Sequence, residues 1–231
     1  MIKFSENIQA DAVIFDFDGV IVDTEPLHYK AFQQILAPQG LGYSWEQYVT
    51  TYMGFDDRDA FQKVYAINGL TIDANELSDL IAVKATIFQE IIRSGISAYP
   101  GAVELIKAIH RTKIPLAISS GALRSDITPI LEMLEIEECF DIIVSADNVS
   151  KSKPDPESYL LAFDQLSTYH LKYKILKEHT VAIEDTPAGI TSACNAGLMV
   201  IAITNSYAKE YLTKADYITG SLENLITSVG F

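Results

Sequence analysis

The stretch "AVIFDFDGVIVDTEPLH", residues 12–28, runs from four apolar residues directly into two aspartates, Asp16 and Asp18, with Phe17 between them. A short apolar run with β-branched residues, closed by a turn signal, reads as a strand buried on both faces. Asp18–Gly19 supplies the turn, and the two-residue period of a strand places Asp16 and Asp18 on one side. Runs of the same kind recur as "IPLAIS" (114–119), "DIIVS" (141–145), "TVAIE" (180–184) and "MVIAIT" (199–204). They alternate with helical stretches, which is the pattern of a parallel sheet covered by helices on both faces. The punctuation is clearest in "DTPAGITSACNAGL" (185–198), with Thr186 as cap, Pro187 at the first helical position and Gly197 past the end.

Between the first and second runs lie nearly a hundred residues that read as helix. His28, Ala31, Phe32 and Ile35 form one stripe over residues 25–37, and Leu77, Leu80, Ile81, Lys84, Phe88 and Ile91 another over 73–93. Asp73 with Glu76 suggests a capping box. So long a connection is expected to be a small all-helical domain, residues 25–94, inserted into an α/β domain of residues 1–24 and 95–231. Its exits fall near Thr24 and in "SGISAYPG" (94–101), where Gly95, Pro100 and Gly101 break the helix. Residues 165–180, "QLSTYHLKYKILKEHT", read as a solvated helix face without chemistry.

Of the 231 residues, 48% are hydrophobic, enough for a sizeable core, and 17 basic against 31 acidic residues leave a formal charge of −14. That balance argues against nucleic acid or an anionic membrane as partner. An anionic substrate would need a strong local positive site. Cys139 and Cys194 lack metal-ligand spacing and read as thiols in a reducing compartment. No stretch is apolar for long enough to be a signal peptide or membrane span. The expectation is a cytoplasmic protein, monomer or weak homodimer.

Ligands of open parallel sheets bind beyond the carboxyl ends of the strands. There the sequence sets Asp16 and Asp18, Ser119, Glu184 with Asp185, and Lys153 in the loop after Ser145. Singly, each has an ordinary reading: an Asp-Gly turn, loop-forming serines, an acidic helix start, a solvated lysine. Together they conflict unless charge is compensated, since carboxylates 4 Å apart repel by about 4 kcal/mol per pair at an effective dielectric of 20. A hard divalent cation, Mg²⁺ where phosphate is also bound, is the expected compensation. "AISSGA" (117–122) offers the hydroxyls of Ser119 and Ser120 and backbone N–H groups near Gly121 to a phosphate ahead of a helix starting near Leu123. Lys153, ahead of Pro154 in "SKSKPDPESY" (150–159), is held away from helix and is the basic residue nearest these strand ends. The set describes phosphoryl transfer through an aspartyl phosphate. Asp16 would attack phosphorus, Asp18 would act as acid and then base, and Lys153 would offset the repulsion between anions.

"DFDGV" (16–20), "ISSG" (118–121), "KPDPESY" (153–159) and "IEDTPAGITSACNAG" (183–197) resemble, in order, the motifs of the haloacid dehalogenase superfamily, in its β-phosphoglucomutase-like branch. The resemblance implies a Rossmann-like, doubly wound parallel sheet with a helical cap. It implies Mg²⁺ held by the Asp16 carboxylate, the Asp18 main-chain oxygen and Asp185, with Glu184 close by. Phosphate is then expected among Asp16, Phe17, Asp18, Ser119, Ser120, Gly121 and Lys153. On the cap side, "DTEPLH" (23–28) and "MGFDDRD" (53–59) draw in Thr24, His28 and Arg58, with Lys84 either reaching substrate or merely snorkelling. Asp18 sets the chain apart from true dehalogenases, which lack that aspartate. Asp57 stands where the phosphonate hydrolases carry a Schiff-base lysine. The expected activity is Mg²⁺-dependent hydrolysis of a small phosphorylated metabolite: a sugar, polyol or glycolate phosphate. A phosphosugar mutase would use the same core residues. A non-catalytic regulatory or binding protein would not need every catalytic position filled, as it is here.

Overall fold

A computed structural model describes residues 1–93, 95–170 and 174–229. Two short strands, β1 (Ile2–Lys3) and β2 (Gln9–Ala10), pair antiparallel and lead into β3 (Ala12–Phe15). Four helices follow: α1 (Glu25–Leu36), α2 (Trp45–Thr51), α3 (Asp57–Ile67) and α4 (Ala74–Ile92). The chain then alternates through α5 (Ala102–Arg111), β4 (Leu116–Ser119), α6 (Arg124–Met133), β5 (Ile142–Val144) and α7 (Glu157–Tyr169). It finishes through β6 (Thr180–Glu184), α8 (Pro187–Ala196), β7 (Met199–Ile203), β8 (Tyr217–Thr219) and α9 (Glu223–Ile226).

Six strands form one parallel sheet in the order β5-β4-β3-β6-β7-β8. From β3 the chain builds outward through β4 and β5, then returns to the other flank for β6 to β8. The order reverses beside β3, the position where open α/β sheets form their binding crevice. β3 is buried on both faces, and its side chains divide as the two-residue period requires. Val13 and Phe15 join the cluster under α5, α6 and α9, whereas Ala12 and Ile14 join the one under α7 and α8. The second face is lined by small residues, with Ala117, Ala182 and Ala202 beside Ala12. Those alanines leave room for the fully buried Tyr159 of α7.

The strands and the Thr186–Pro187–Gly197 punctuation stand as read: Thr186 Oγ1 accepts from Gly189 N at 3.0 Å, and Gly197 is left-handed at φ 85°. Other expectations are corrected. The sheet has a sixth strand, β8, whose three half-polar residues at the edge carry no apolar run for the sequence to show. Residues 165–180 are not one helix: α7 stops at Tyr169, a 3-10 turn occupies Lys177–His179, and 171–173 lie outside the described residues. Asp73 caps α4 by accepting from Asn75 N and Glu76 N, both at 2.9 Å, but Glu76 faces the Tyr65 hydroxyl at 3.5 Å, so the reciprocal half is missing. A full capping box occurs instead at Ser44 and Gln47.

Helices α1 to α4 enclose a cluster of their own around Phe32, Leu36, Phe61 and Val64, while Ala31, Phe88 and Ile92 reach the main cluster. The two chain crossings into this segment run together, because Val22 bridges to Asp18 and Ala98, and Tyr99 N donates to Ile21 O at 2.9 Å. Ser94, at the expected boundary, lies outside the described residues. Cys139 and Cys194 are both free thiols. Among the described residues, no helix is long and apolar enough to cross a membrane.

Candidate active site

The strand ends converge on one ammonium group. Lys153 Nζ donates to Asp16 Oδ1 at 2.6 Å, Glu184 Oε1 at 2.7 Å and the Ser119 carbonyl at 3.0 Å, the ends of β3, β6 and β4. An ammonium has three donors, so Lys153 is fully used; its side chain is 11% exposed, lining a pocket and not a solvated surface charge. The Lys153–Pro154 peptide bond is cis. Burial alone would lower the lysine pKa, but Asp16 and Glu184 outweigh it and raise it. The Tyr159 ring lies 4.8 Å from the ammonium, and its hydroxyl donates to Glu184 Oε1 at 2.9 Å.

Asp16 is anchored where its backbone N–H donates to Ile183 O at 2.9 Å. Burial pushes its carboxyl well above the usual range; Lys153 opposes this, while the charges of Glu184 and Asp18 add to it. Asp18, two residues on, is perturbed the other way. Burial again disfavours its charge, yet His28, the Thr24 hydroxyl and Lys84 together bring its pKa down. Thr24 Oγ1 donates to Asp18 Oδ1, His28 Nε2 lies 3.5 Å from the same oxygen, and Ser120 Oγ is 3.4 Å from Oδ2.

Glu184 is the last residue of β6, not a helix-start acid, and both its oxygens are engaged. Oε2 accepts from Asp185 N at 3.0 Å, Thr186 N at 3.2 Å and Thr186 Oγ1 at 3.1 Å. A Cβ on Gly189 would fall 1.8 Å from Oε1, so glycine in the first turn of α8 makes this carboxylate possible. Asp185 beside it is buried, and neither of its oxygens receives a well-formed hydrogen bond from the described residues. Burial and the charges of Glu184 and Asp16 drive its pKa well up, with the Ser206 hydroxyl a small offset. Gly19, at φ 81°, lies so close that a Cβ there would sit 2.0 Å from Asp185 Oδ2.

The other expected residues are placed as follows. Ser119 Oγ is buried without a partner, and Ser120 Oγ accepts from Ala122 N at 2.9 Å. Phe17 sinks its ring into the main cluster. Gly121 and His28 line the pocket that holds Asp16 and Lys153. Lys84 does not snorkel: it is fully buried, with Nζ 2.8 Å from Asp57 Oδ1, 2.7 Å from His28 Nδ1 and 3.9 Å from Asp126 Oδ2. Burial lifts the Asp126 pKa to about 6 despite that lysine. Arg58 donates to the Ser150 carbonyl at 3.3 Å and lies outside this pocket. The sequence reading missed Tyr159, which sits inside the "KPDPESY" motif, and Asn205, whose Nδ2 donates to Gly19 O at 2.6 Å. Asn205 follows the end of β7, so the strand-end rule that found the others also reaches it.

The haloacid dehalogenase-like hydrolase pattern matches residues 13–203. The chain belongs to that family. It is 29% identical to the phosphorylated carbohydrates phosphatase of Thermotoga maritima, over 81% of this chain and 82% of that one. It is 27% identical to the fructose-1-phosphate phosphatase of Escherichia coli, over 83% and 95%. CbbY of Rhodobacter sphaeroides, in complex with xylulose-(1,5)bisphosphate, superposes with a TM-score of 0.83 at 25% identity, covering 93% of this chain and 96% of that one.

Haloacid dehalogenase-like hydrolases imply Mg²⁺, and the residues present suit it. Asp16, Glu184 and Asp185 each offer a carboxylate oxygen, all within 4.8 Å of one another, and Asp185 is buried with no well-formed hydrogen bond to either oxygen from the described residues. Buried carboxylates with one lysine among them lack compensation that a hard cation provides. Mg²⁺ should therefore raise the melting temperature of EDTA-treated protein, by the equivalent of about 2.7 kcal/mol at a hundred times Kd, and Asp185→Asn should remove most of that rise. The pH trend has a definite sign. The fold binds protons on Asp16 and Asp185 more tightly than the unfolded chain, which releases them near pH 4, so their contribution to metal-free stability is complete below about pH 4. It is lost as pH rises through the folded pKa values. Asp18, shifted down, acts only below that window. Melting from pH 4 to 8, with EDTA or Mg²⁺, checks both; identical curves would count against a cation here.

Proposed function

We propose that the protein is a Mg²⁺-dependent phosphatase acting on a small phosphorylated metabolite through an aspartyl phosphate on Asp16. The observation that carries this reading is the Lys153 ammonium joining Asp16, Glu184 and the Ser119 carbonyl at three adjacent strand ends. A dianionic phosphate approaching Asp16 is repelled unless a fixed positive charge stands beside it, and Lys153 is that charge. Ser119 Oγ, buried without a partner, is free to donate to a phosphoryl oxygen. An Asp16 oxygen forms a bond to phosphorus as the bond to the leaving oxygen breaks, and Asp18 protonates that oxygen. Asp18 then takes a proton from water, whose oxygen attacks phosphorus and frees Asp16 with release of phosphate. The lowered pKa of Asp18 suits the second step; the first requires it to arrive protonated. A bound divalent cation, held by Asp16, Asp185 and the Asp18 main-chain oxygen, would supply further neutralisation of the phosphoryl charge. Glu184 holds Lys153 in place. Residues 25–94 serve as a cap that selects substrate and shields the intermediate from bulk water.

The relatives named as phosphatases of phosphorylated carbohydrates support the hydrolytic reading. A panel of phosphorylated metabolites assayed with Mg²⁺ and with EDTA tests it. Phosphate release from sugar or polyol phosphates, lost with EDTA, is the expected result. Interconversion of β-glucose 1-phosphate and glucose 6-phosphate with little release would make the protein a mutase instead.

A further inference from the structure

Beyond the Asp16 end, the pocket is lined by Glu25, Asp56 and Asp57 together with the rings of Phe32, Tyr48 and Phe55. Among the described residues, its basic side chains are Lys153 and His28. Neither is available to a second anion. Lys153 is already tied to Asp16, Glu184 and Ser119. His28 has both ring nitrogens engaged, Nδ1 at 2.7 Å from Lys84 Nζ and Nε2 at 3.5 Å from Asp18 Oδ1. Lys84 is fully buried and occupied by Asp57 Oδ1, and Arg58 is turned to Ser150 outside the pocket.

What this region offers is acceptors and aromatic surface. Asp57 keeps Oδ2 buried without a hydrogen-bond partner. Glu25, 9% exposed, takes a hydrogen bond from Tyr48 on Oε2. Phe55 stays 45% exposed beside them. Carboxylate acceptors and ring faces suit the O–H donors and C–H faces of a carbohydrate or polyol. A phosphate or carboxylate would bring acceptors only, and would set like charges together where water is scarce.

Resting on the phosphatase reading, we propose that this pocket selects against a second anionic group. Its substrate is a monophosphate whose remainder is neutral and hydroxyl-bearing, and Glu25 and Asp57 are the residues that set the preference. Phosphoglycolate, admitted by the sequence reading, falls outside that class. So does the bisphosphate that a mutase must hold as its intermediate.

The test compares kcat/KM, with Mg²⁺, for a hexose 6-phosphate, a hexitol 6-phosphate, hexose 1,6-bisphosphate and phosphoglycolate, with p-nitrophenyl phosphate as a generic phosphomonoester. The neutral-tailed monophosphates should lead the bisphosphate and phosphoglycolate by on the order of a hundredfold. Glu25→Gln removes a negative charge and keeps the shape, whereas Asp57→Asn leaves the Lys84 ammonium without its counter-charge; measured separately, each should shrink that ratio by about tenfold. The ratio between substrates is a readout that a general loss of fold or activity does not move. Equal turnover of mono- and bisphosphates, or of phosphoglycolate and the sugar phosphates, would overturn the selectivity and leave the phosphatase reading standing. A ratio unchanged in both variants would overturn the assignment to Glu25 and Asp57. No phosphate release from any substrate, p-nitrophenyl phosphate included, would overturn the phosphatase reading itself and this inference with it.

Discussion

Asp16→Asn should abolish phosphate release, with kcat lower by at least about four orders of magnitude. The amide matches the carboxylate in shape and still accepts from Lys153, but it has no anionic oxygen to attack phosphorus. Stability should move little or rise. Burial pushes the Asp16 carboxyl well above its usual range, with the charges of Glu184 and Asp18 adding to it, and the substitution removes the charge that this environment disfavours. Activity and melting temperature are thus expected to part company in one variant. A phosphate-release assay and a thermal melt on the same preparation check this. Retention of wild-type turnover would remove the aspartyl-phosphate mechanism.

Lys153→Met should fail on both counts. Methionine preserves much of the stem, but the buried carboxylates of Asp16 and Glu184 lose their shared cation, and an uncompensated buried charge costs about 3–5 kcal/mol. For a chain of this size that corresponds to a fall of roughly 10 °C in Tm. The rate should fall by about a thousandfold as well, since the fixed charge beside the attacking oxygen is gone. Lys153→Arg separates the two effects. It restores charge, so most of the stability should return, whereas a planar fork cannot reproduce contacts of 2.6, 2.7 and 3.0 Å to three strand ends. Activity should stay low. An arginine variant as active as the native protein would show that geometry at this position is unimportant.

The parts of this molecule that the sequence discloses are those written in neighbouring residues. β3 and its aspartates show because an apolar run stops at charge within one residue, and α8 shows because cap, proline and terminal glycine are local signals. Lys153 could be placed near the strand ends for the same reason, but its burial could not, since that depends on Glu184 and Tyr159. Lys84 looks like a helix-face residue whose head reaches water, and only packing against Asp57, His28 and Asp126 shows otherwise. The contact of Glu25 with Tyr48 spans 23 positions, and no pattern in either segment announces it. Glu184 was legible as an acid beside a helix; its work as the lysine's holder is visible only once β3, β4 and β6 lie side by side.

The position of β3 in the sheet has a consequence for how the chain is made. Val13 pairs with Leu116 and Ala12 with Thr180, so the strand that leads into Asp16 meets its neighbours only after roughly a hundred and then roughly 170 residues of further synthesis. Until then its unpaired edges and apolar faces are exposed, in a topology of long-range parallel pairing that folds slowly. Helices α1 to α4, which close a cluster of their own, can condense earlier. The nascent protein would then pass through a stage with its helical cluster formed and its parallel sheet absent, when chaperones and aggregation compete for the segment that becomes the centre of the sheet.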